Sequence, residues 1–187
     1  MPELNPIRFR LALASDVPTL QMLIEQSVRR LQARDYTPAQ IDGALGTALG
    51  VDTQLISDRT YFVAETSSGI IVGCGGWSNR RTLFGSDHAL VRENDFLDPA
   101  RDAAKIRAIF VHPDHARRGI GSRILEHCEQ AAIAAGFHCF EMGSTLTGVP
   151  LYRLKGYQER EHIAVPLPNG ESLPVIRMTK TLDLSNP

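Results

Sequence analysis

The chain has 187 residues and a formal net charge of −1, with 20 basic and 21 acidic side chains. This even balance disfavours nucleic acid as a partner, because nucleic-acid binders usually carry a basic surplus. The hydrophobic fraction of 43% is typical of a soluble globular protein, and no apolar run approaches the length of a membrane span. Three cysteines without CxxC spacing favour a reducing compartment, so we expect a cytoplasmic protein.

The N-terminal part of the chain is predicted to form one strand followed by helices. Alternating residues predict a strand over 7–13, and Ser15 is predicted to cap the next helix. Thr37, followed by a proline at the first helical position, predicts a second helix over 39–49. A short helical turn is expected over 52–57.

The middle of the chain is predicted to form a hairpin and then a long loop. Stretches rich in β-formers lie on both sides of a turn at 67–69. The second strand contains three glycines that indicate a bulge or the close approach of another backbone: Gly73, Gly75 and Gly76. Residues 79–103 have no regular pattern, and an irregular segment of that length in a compact domain is often functional.

The C-terminal half alternates strands and helices. A strand over 105–111 leads into a helix that is predicted to run to about Ala135, and a second strand follows over 137–145. The helix is expected to pack on a sheet through the residues that recur at helical spacing: Ile120, Ile124, Cys128, Ala131 and Ala135. Such a strand–helix–strand unit forms a right-handed crossover with parallel strands. One or two helical turns are expected over 149–156, and a terminal hairpin is expected to turn at 168–170. The element order therefore predicts a mixed α/β domain.

The junction between the strand and the helix has an unusual composition. Arg117 and Arg118 precede Gly119 and Gly121. A helix N-terminus carries unpaired N–H groups and about half a positive charge, and the glycines leave space for a ligand. This combination suits a phosphate or pyrophosphate. The alternative is a simple turn with solvated arginines, and the spacing alone leaves both interpretations open.

Two motifs in this region resemble those of the GNAT superfamily of N-acetyltransferases. The stretch "IFVHPDHARRGIGSRIL" is similar to its acyl-CoA-binding motif, Gln/Arg-x-x-Gly-x-Gly/Ala. Gly119 and Gly121 stand at the two small positions, and Ala116 stands at the first. The stretch "GVPLYRLKGY" is similar to the second family motif, an aromatic-rich helix with a tyrosine, here Tyr152. Relatives often have an Asn before this helix, where this chain has Thr147.

The resemblance implies a single acetyltransferase domain over 1–187. Its fold would be α/β (α+β), with a mixed, mostly antiparallel central sheet that is flanked by helices and contains one splayed parallel strand pair. In the family the pantetheine arm enters the gap between those strands and pairs with the backbone of the first one. No metal is required. The residues implied in binding acetyl-CoA are Ile109, Phe110, Val111, Arg117, Arg118, Gly119, Ile120, Gly121, Ser122 and Thr147.

The implied activity is acetyl transfer from acetyl-CoA to a primary amine by direct attack in a ternary complex. Tyr152 is expected to protonate the departing thiolate as a general acid, with a core aromatic stacked under the pantetheine arm as the alternative. Some relatives have a catalytic Glu where this chain has Lys105, so Glu141 on the neighbouring strand is a candidate base, with a partly exposed strand carboxylate as the alternative. The acceptor and the acyl length stay open, and a homodimer is an expectation from the family alone. The rival interpretation is a non-catalytic acyl-CoA-binding sensor or interaction module.

Acceptor selection is assigned to the long loop at 79–103 and to the residues at its start. Trp77, Arg80 and Arg81 are candidate substrate-binding residues, since arginine suits an acceptor with an acidic group. The alternative is a buried tryptophan beside two solvated arginines.

Overall fold

The computed structural model of the protein describes residues 6–89, 92–93 and 95–182. Its strands and helices follow one another in this order: β1 Arg8–Leu11, α1 Val17–Leu31, α2 Pro38–Ala44, α3 Thr53–Ser57, β2 Tyr61–Glu65, β3 Ile71–Ser78, β4 Ala104–Val111, α4 Ile120–Ala134, β5 Cys139–Thr145, α5 Val149–Leu154, β6 Gln158–Pro166 and β7 Ser172–Thr181. Short 3-10 turns precede α1 and α4. No helix in the described part of the chain is long and apolar enough to cross a membrane.

The strands form one sheet of seven in the order β1-β2-β3-β4-β5-β7-β6. Each neighbouring pair is antiparallel except β4 and β5, which are parallel. This confirms the predicted fold class. Two apolar clusters lie on opposite faces: Val63 packs with α1, whereas the next residue, Ala64, packs with α4. Successive strand side chains point to opposite faces, so one strand serves both cores.

The parallel strands separate soon after they meet. β4 and β5 pair only at Ala104 with Phe140 and at Lys105 with Glu141. Further along β4, Ala108 adopts a φ of 52°, and the register with β3 shifts in the same region. A left-handed conformation costs a non-glycine residue about 1–3 kcal/mol, and a bulge bends the strand that contains it. The bend carries β4 away from β5 and opens the sheet.

The glycines of β3 allow a close approach by α4. A Cβ on Gly73 would lie 2.9 Å from side-chain atoms of Ile120 and Ile124, and one on Gly75 would lie 2.6 Å from Ile124. The register shift places Gly75 opposite two residues of β4, Ala108 and Ile109, so the extra residue of the bulge lies in β4 rather than in β3. A Cβ on Gly76 would lie 2.7 Å from the Thr60 carbonyl oxygen, which confirms the alternative, the close approach of another backbone.

Two helix boundaries differ from the prediction. Ser15 does not cap α1, because it lies within a 3-10 turn where the Asp16 carboxylate accepts the Leu13 N–H at 2.8 Å. Thr37 caps α2 as predicted and accepts the Gln40 N–H at 3.2 Å. The helix then ends at Ala44 rather than at residue 49, since the chain becomes extended immediately afterwards.

The buried face of α4 is also shifted from the predicted one. Ala135 was expected on this face, but it is exposed and lies just beyond the end of the helix. Leu125 and Ala132 are buried there instead, beside Ile120, Ile124 and Cys128. The face is therefore broader than a single row of residues four apart, as a helix that packs on a sheet requires.

Candidate active site

The separation of β4 and β5 produces a cleft through the sheet. Its walls are residues 106–110 of β4 and 142–145 of β5. The cleft is also lined by residues 48–50, which follow α2, by residues 83–85 of the long loop and by Tyr152 of α5. Beyond the Lys105–Glu141 pair, backbone groups of β4 are not used for pairing with β5 in the described residues. They are available to a ligand that lies in the cleft.

The helix that follows β4 presents a backbone cradle, by which we mean residues 117–122. Its N-cap, Gly119, has a φ of 78°, a conformation that glycine adopts without strain. The first backbone hydrogen bond of the helix runs from the Arg123 N–H to the Gly119 carbonyl at 3.1 Å. The N–H groups of residues 120–122 therefore lack intrahelical acceptors. Arg117 and Arg118 are exposed beside them and add positive charge.

The cradle and the cleft adjoin one another. A Cβ on Gly121 would lie 3.5 Å from Leu151 Cδ2 and 3.7 Å from Val111 Cγ2. Val111 ends β4, whose preceding residues line the cleft, and Leu151 precedes Tyr152 on α5. A ligand with its anionic end on the cradle thus has a direct path along β4 toward Tyr152.

The side chain of Tyr152 is buried and packs against Gly148 and Tyr157. A Cβ on Gly148 would lie 2.8 Å from the Tyr152 ring, so the glycine makes space for that ring. Tyr157 packs against it edge to face, with 5.8 Å between the ring centres. Burial raises the pKa of the Tyr152 phenol above its usual range, so the hydroxyl stays protonated at neutral pH. No described residue forms a hydrogen bond with this hydroxyl, which leaves its proton for a ligand.

Glu141 lies outside the cleft. Its carboxylate accepts hydrogen bonds from Lys105 Nζ and from Arg177 Nε. Burial acts to raise the pKa of Glu141, but these cations hold it below the usual value. A carboxylate that is doubly paired binds a proton weakly. This geometry disfavours the role of base. The carboxylate is also buried within its ion pairs rather than partly exposed on the strand, as the alternative had it.

The predicted acceptor residues lie beside the cleft rather than in it. Trp77 is buried and packs edge to face on Phe137, at 6.0 Å between ring centres. Arg80 donates to both carboxylate oxygens of Asp58, at 2.7 and 2.9 Å, while Arg81 is exposed. The part of the long loop that reaches the cleft is 83–85.

Thr147 stands near the cleft wall, but its hydroxyl is engaged elsewhere. Oγ1 donates to Asp35 Oδ2 at 2.5 Å, in the turn between α1 and α2. The hydroxyl thus ties the end of β5 to the helical layer on one face of the sheet. A contact from Thr147 to a ligand would have to compete with this bond.

A buried ion network, which the sequence did not reveal, holds the long loop on β4. Arg107 is 3% exposed and donates to Asp52 Oδ2 at 2.8 Å, and to the carbonyls of Thr82 and Gly85 at 2.9 and 2.7 Å. Asp52 also accepts a hydrogen bond from Arg92 at 3.0 Å. Burial lowers the pKa of the Arg107 guanidinium, and the Asp52 charge opposes that effect. An arginine within an apolar strand was the available signal, because such a residue requires a buried partner.

These features define an α/β protein with an anion cradle next to a split in its central sheet. The family profile described as an acetyltransferase (GNAT) domain matches residues 57–159, more than half of the 187 residues. The chain belongs to the GNAT acetyltransferase family, which confirms the resemblance of its two motifs. The matched segment includes β4, the cradle, β5 and α5.

Solved structures with the same fold share little sequence with this chain. The GCN5-related N-acetyltransferase of Rhodopseudomonas palustris, also described as a class-II aminotransferase, is 21% identical at a TM-score of 0.69, with 94% of this chain and 95% of that chain covered. The PaiA N-acetyltransferase of Thermoplasma acidophilum, in complex with coenzyme A, is 13% identical at 0.65, with 95% and 99% covered. A GNAT family acetyltransferase of Brucella melitensis, in complex with acetyl-CoA, is 13% identical at 0.58, with 98% and 92% covered. No curated protein sequence matches the chain.

Proposed function

We propose that the protein is an acetyl-CoA-dependent N-acetyltransferase that acts on a primary amine by direct attack in a ternary complex. The observation that carries the proposal is the continuity of the cradle, the opened edge of β4 and Tyr152. Complexes of the Thermoplasma and Brucella proteins with coenzyme A and acetyl-CoA support the choice of donor. We further propose one domain over 1–187 and a cytoplasmic location, to which two buried free thiols, Cys74 and Cys128, are suited.

The cofactor is proposed to bind along β4. The N–H groups of residues 120–122 would receive the pyrophosphate, with Arg117 and Arg118 supplying charge. The backbone of Ile109 to Val111 would pair with the amides of the pantetheine arm. Among the described residues, no group of three His, Cys, Asp or Glu side chains is arranged to hold a metal ion, and the proposed chemistry does not use one.

In the proposed acetyl transfer, the backbone of β4 and the side chain of Tyr152 have separate roles. Bound acetyl-CoA supplies the acyl group as a thioester. Backbone N–H groups of β4 would stabilise negative charge on the carbonyl oxygen during attack. Tyr152 would give its proton to the sulfur as the C–S bond breaks. Arg107 and Tyr152 are the only ionisable side chains among the described residues that line the cleft, and neither accepts a proton at neutral pH, so the amine proton would leave through water.

The rival function is an acyl-CoA-binding module without catalysis. The Tyr152 phenol lines the cleft and has no hydrogen-bond partner among the described residues, which favours the enzyme, because binding of acyl-CoA alone does not require a free proton donor there. The direct test mixes acetyl-CoA with amines, follows release of free thiol and identifies the acetylated amine by mass. Thiol release that depends on the amine is expected. Binding of acetyl-CoA without any amine-dependent turnover would support the rival.

Gly121→Asp tests the cradle. We expect the affinity for coenzyme A to fall at least about tenfold, roughly 1.4 kcal/mol, because a carboxylate would stand where the phosphates bind. The fold should survive, since an acidic side chain near a helix N-terminus is stabilising and the nearest atoms are 3.5 Å or more from the new Cβ. Calorimetry with coenzyme A measures the change.

Gly121→Ala is the matched control for this prediction. Its methyl group fits at ordinary contact distance from Leu151 and Val111, so it separates charge from bulk. We expect the alanine variant to lose less affinity than the aspartate variant. Equal affinity for coenzyme A in the wild type and in a folded Gly121→Asp variant would show that the cradle does not bind the phosphates.

A further inference from the structure

A second pocket opens beside the cleft, and its lining is almost wholly apolar. The two cavities share the lining residues Ala48, Phe84, Gly85 and Val165, so they are adjacent. Ile163 of β6 contributes to the wall of the second pocket alone. The pocket therefore offers an apolar surface next to the place where a molecule would react.

Phe84 stands at the boundary between the two cavities. A Cβ on Gly143 would lie 2.8 Å from Phe84 Cδ1, so the ring rests directly on the backbone of β5 at the cleft. The carbonyl of the next residue, Gly85, accepts a hydrogen bond from buried Arg107 at 2.7 Å. The loop is thus held in place, and the aromatic wall is formed before a ligand arrives. Preorganised apolar walls favour binding because little ordering remains to be done.

The charges around these cavities disfavour charged acceptors. Among the described residues that line them there is no Asp or Glu, and Arg107 is already paired with Asp52 at 2.8 Å. A second ammonium on the acceptor would lose its water without gaining a counter-charge, which is strongly unfavourable. An acceptor carboxylate would likewise find no uncommitted cation among these residues.

A polar groove that shares Leu49 and Gly50 with the lining of the cleft is the alternative location for a charged acceptor. Its charged groups are already engaged: Glu25 pairs with Arg29 at 3.0 Å. Asp87 accepts hydrogen bonds from the N–H and the hydroxyl of Thr53 at 2.8 and 3.0 Å. The apolar pocket is therefore the better match for the body of the acceptor.

Gln32 lines the cleft and has a buried side-chain oxygen without a hydrogen-bond partner among the described residues. The residue lies at the end of α1 and is 6% exposed. A buried carbonyl oxygen without a donor is unfavourable, and an N–H group of a ligand would satisfy it. An amide oxygen accepts from an amine without requiring that the amine carry a charge.

We propose that the acceptor is a small primary monoamine with an apolar body of about the size of a phenyl ring. This inference rests on the proposed function. The body would occupy the pocket against Phe84, and the amine would face Gln32 and the thioester. In the reaction an N–C bond forms and the C–S bond breaks. The nitrogen loses one proton, and the thiolate gains one.

Four amines test the inference at one pH and saturating acetyl-CoA. Butylamine, 1,4-diaminobutane and 4-aminobutanoate share a carbon chain and differ in the terminal group, while 2-phenylethylamine enlarges the apolar body. We expect kcat/KM for 2-phenylethylamine to exceed that for butylamine by about tenfold or more, as extra buried apolar groups provide. Both charged analogues should fall at least about tenfold below butylamine. Turnover of either analogue at or above the rate of butylamine would overturn the inference and leave the proposed function intact.

Pocket variants then locate the effect. Ile163→Asp should lower kcat/KM for 2-phenylethylamine by about tenfold or more and reduce its advantage over 1,4-diaminobutane. The matched control is Ile70→Asp, at an exposed isoleucine in the β2–β3 turn. It should change neither kcat/KM for 2-phenylethylamine nor the ratio of that value to the one for 1,4-diaminobutane. Ala48→Phe fills the pocket instead of charging it, and should affect 2-phenylethylamine more than butylamine.

Acetyl-CoA affinity, measured by calorimetry, serves as the check of folding for each variant. If both pocket variants bind acetyl-CoA and keep the wild-type preference, the pocket does not hold the acceptor. If none of the four amines is acetylated, the inference fails. Retained acetyl-CoA binding would then show that the cofactor site stands, whereas its absence would count against the proposed function as well.

Discussion

Asp52→Asn is expected to lower the free energy of unfolding by about 3–5 kcal/mol, because it leaves a buried guanidinium without its counter-charge. Asp52 and Arg107 are 1% and 3% exposed, so water cannot replace the lost partner. The asparagine keeps the shape and, with its Oδ1 toward the Gln54 N–H, the helix cap. Its amide nitrogen then faces the Arg107 guanidinium in place of Oδ2, so the variant removes both the counter-charge and the hydrogen-bond acceptor. Chemical denaturation of the wild type and the variant measures the difference.

The control for this prediction is an ion pair in water. Asp114 and Arg30 are 62% and 59% exposed and lie 3.0 Å apart. Asp114→Asn should leave stability almost unchanged, since solvent screens an exposed pair. Similar losses in both variants would show that burial adds nothing to the Asp52 pair.

The Asp52→Asn variant should also bind the acceptor more weakly. Arg107 donates to the carbonyls of Thr82 and Gly85, so the network sets the position of the loop segment that lines the cleft. Loosening it should raise the KM for the acceptor while acetyl-CoA affinity is retained, because the cradle lies at the far end of β4. The same ion pair thus links the fold to acceptor binding.

The local patterns in the sequence were sufficient for the elements that build the cradle. Strand periodicity before Val111, helical periodicity after Gly119 and two small residues at the junction correctly located β4, α4 and the turn between them. These features depend on neighbours within a few residues. The boundaries that failed, at Ser15 and at the end of α2, are those where the start or the end of a helix depends on details of the adjoining turn.

The cleft itself depends on contacts between distant residues, which periodicity does not encode. Ala108 adopts a left-handed conformation that its sequence context does not demand. Arg107 and Asp52 are 55 positions apart, and Phe84 is brought to Gly143 by a loop with no regular pattern. Trp77 and Arg80 were natural candidates because they lie at the start of that loop. The loop residues that line the cleft are instead 83–85, a few positions further along the chain.

The two candidate proton-transfer residues, Glu141 and Tyr152, differ in protonation because their surroundings differ. Glu141 is paired with two cations away from the cleft, and its pKa is lowered. Tyr152 lines the cleft, and burial keeps its proton in place. A group that is to donate must still hold its proton when the thiolate forms, and only the tyrosine satisfies that condition here.

Tyr157→Phe provides the matched control for testing this role. Tyr157 packs on Tyr152, but its hydroxyl donates to Glu129 at 2.9 Å and does not face the cleft. Removing that hydroxyl deletes a hydrogen bond at the same cluster of rings without touching the proposed proton donor. We expect a modest loss of stability and a kcat close to that of the wild type.

Tyr152→Phe is then expected to lower kcat by about 10²–10⁴-fold, the usual range for loss of a general acid, with acetyl-CoA affinity little changed. The ring and its contacts with Gly148 and Tyr157 remain, so only the proton donor is removed. A single-turnover measurement of thiol release shows whether the chemical step has slowed. If that step keeps its wild-type rate in a folded Tyr152→Phe variant, the tyrosine serves packing, and water must protonate the departing thiolate.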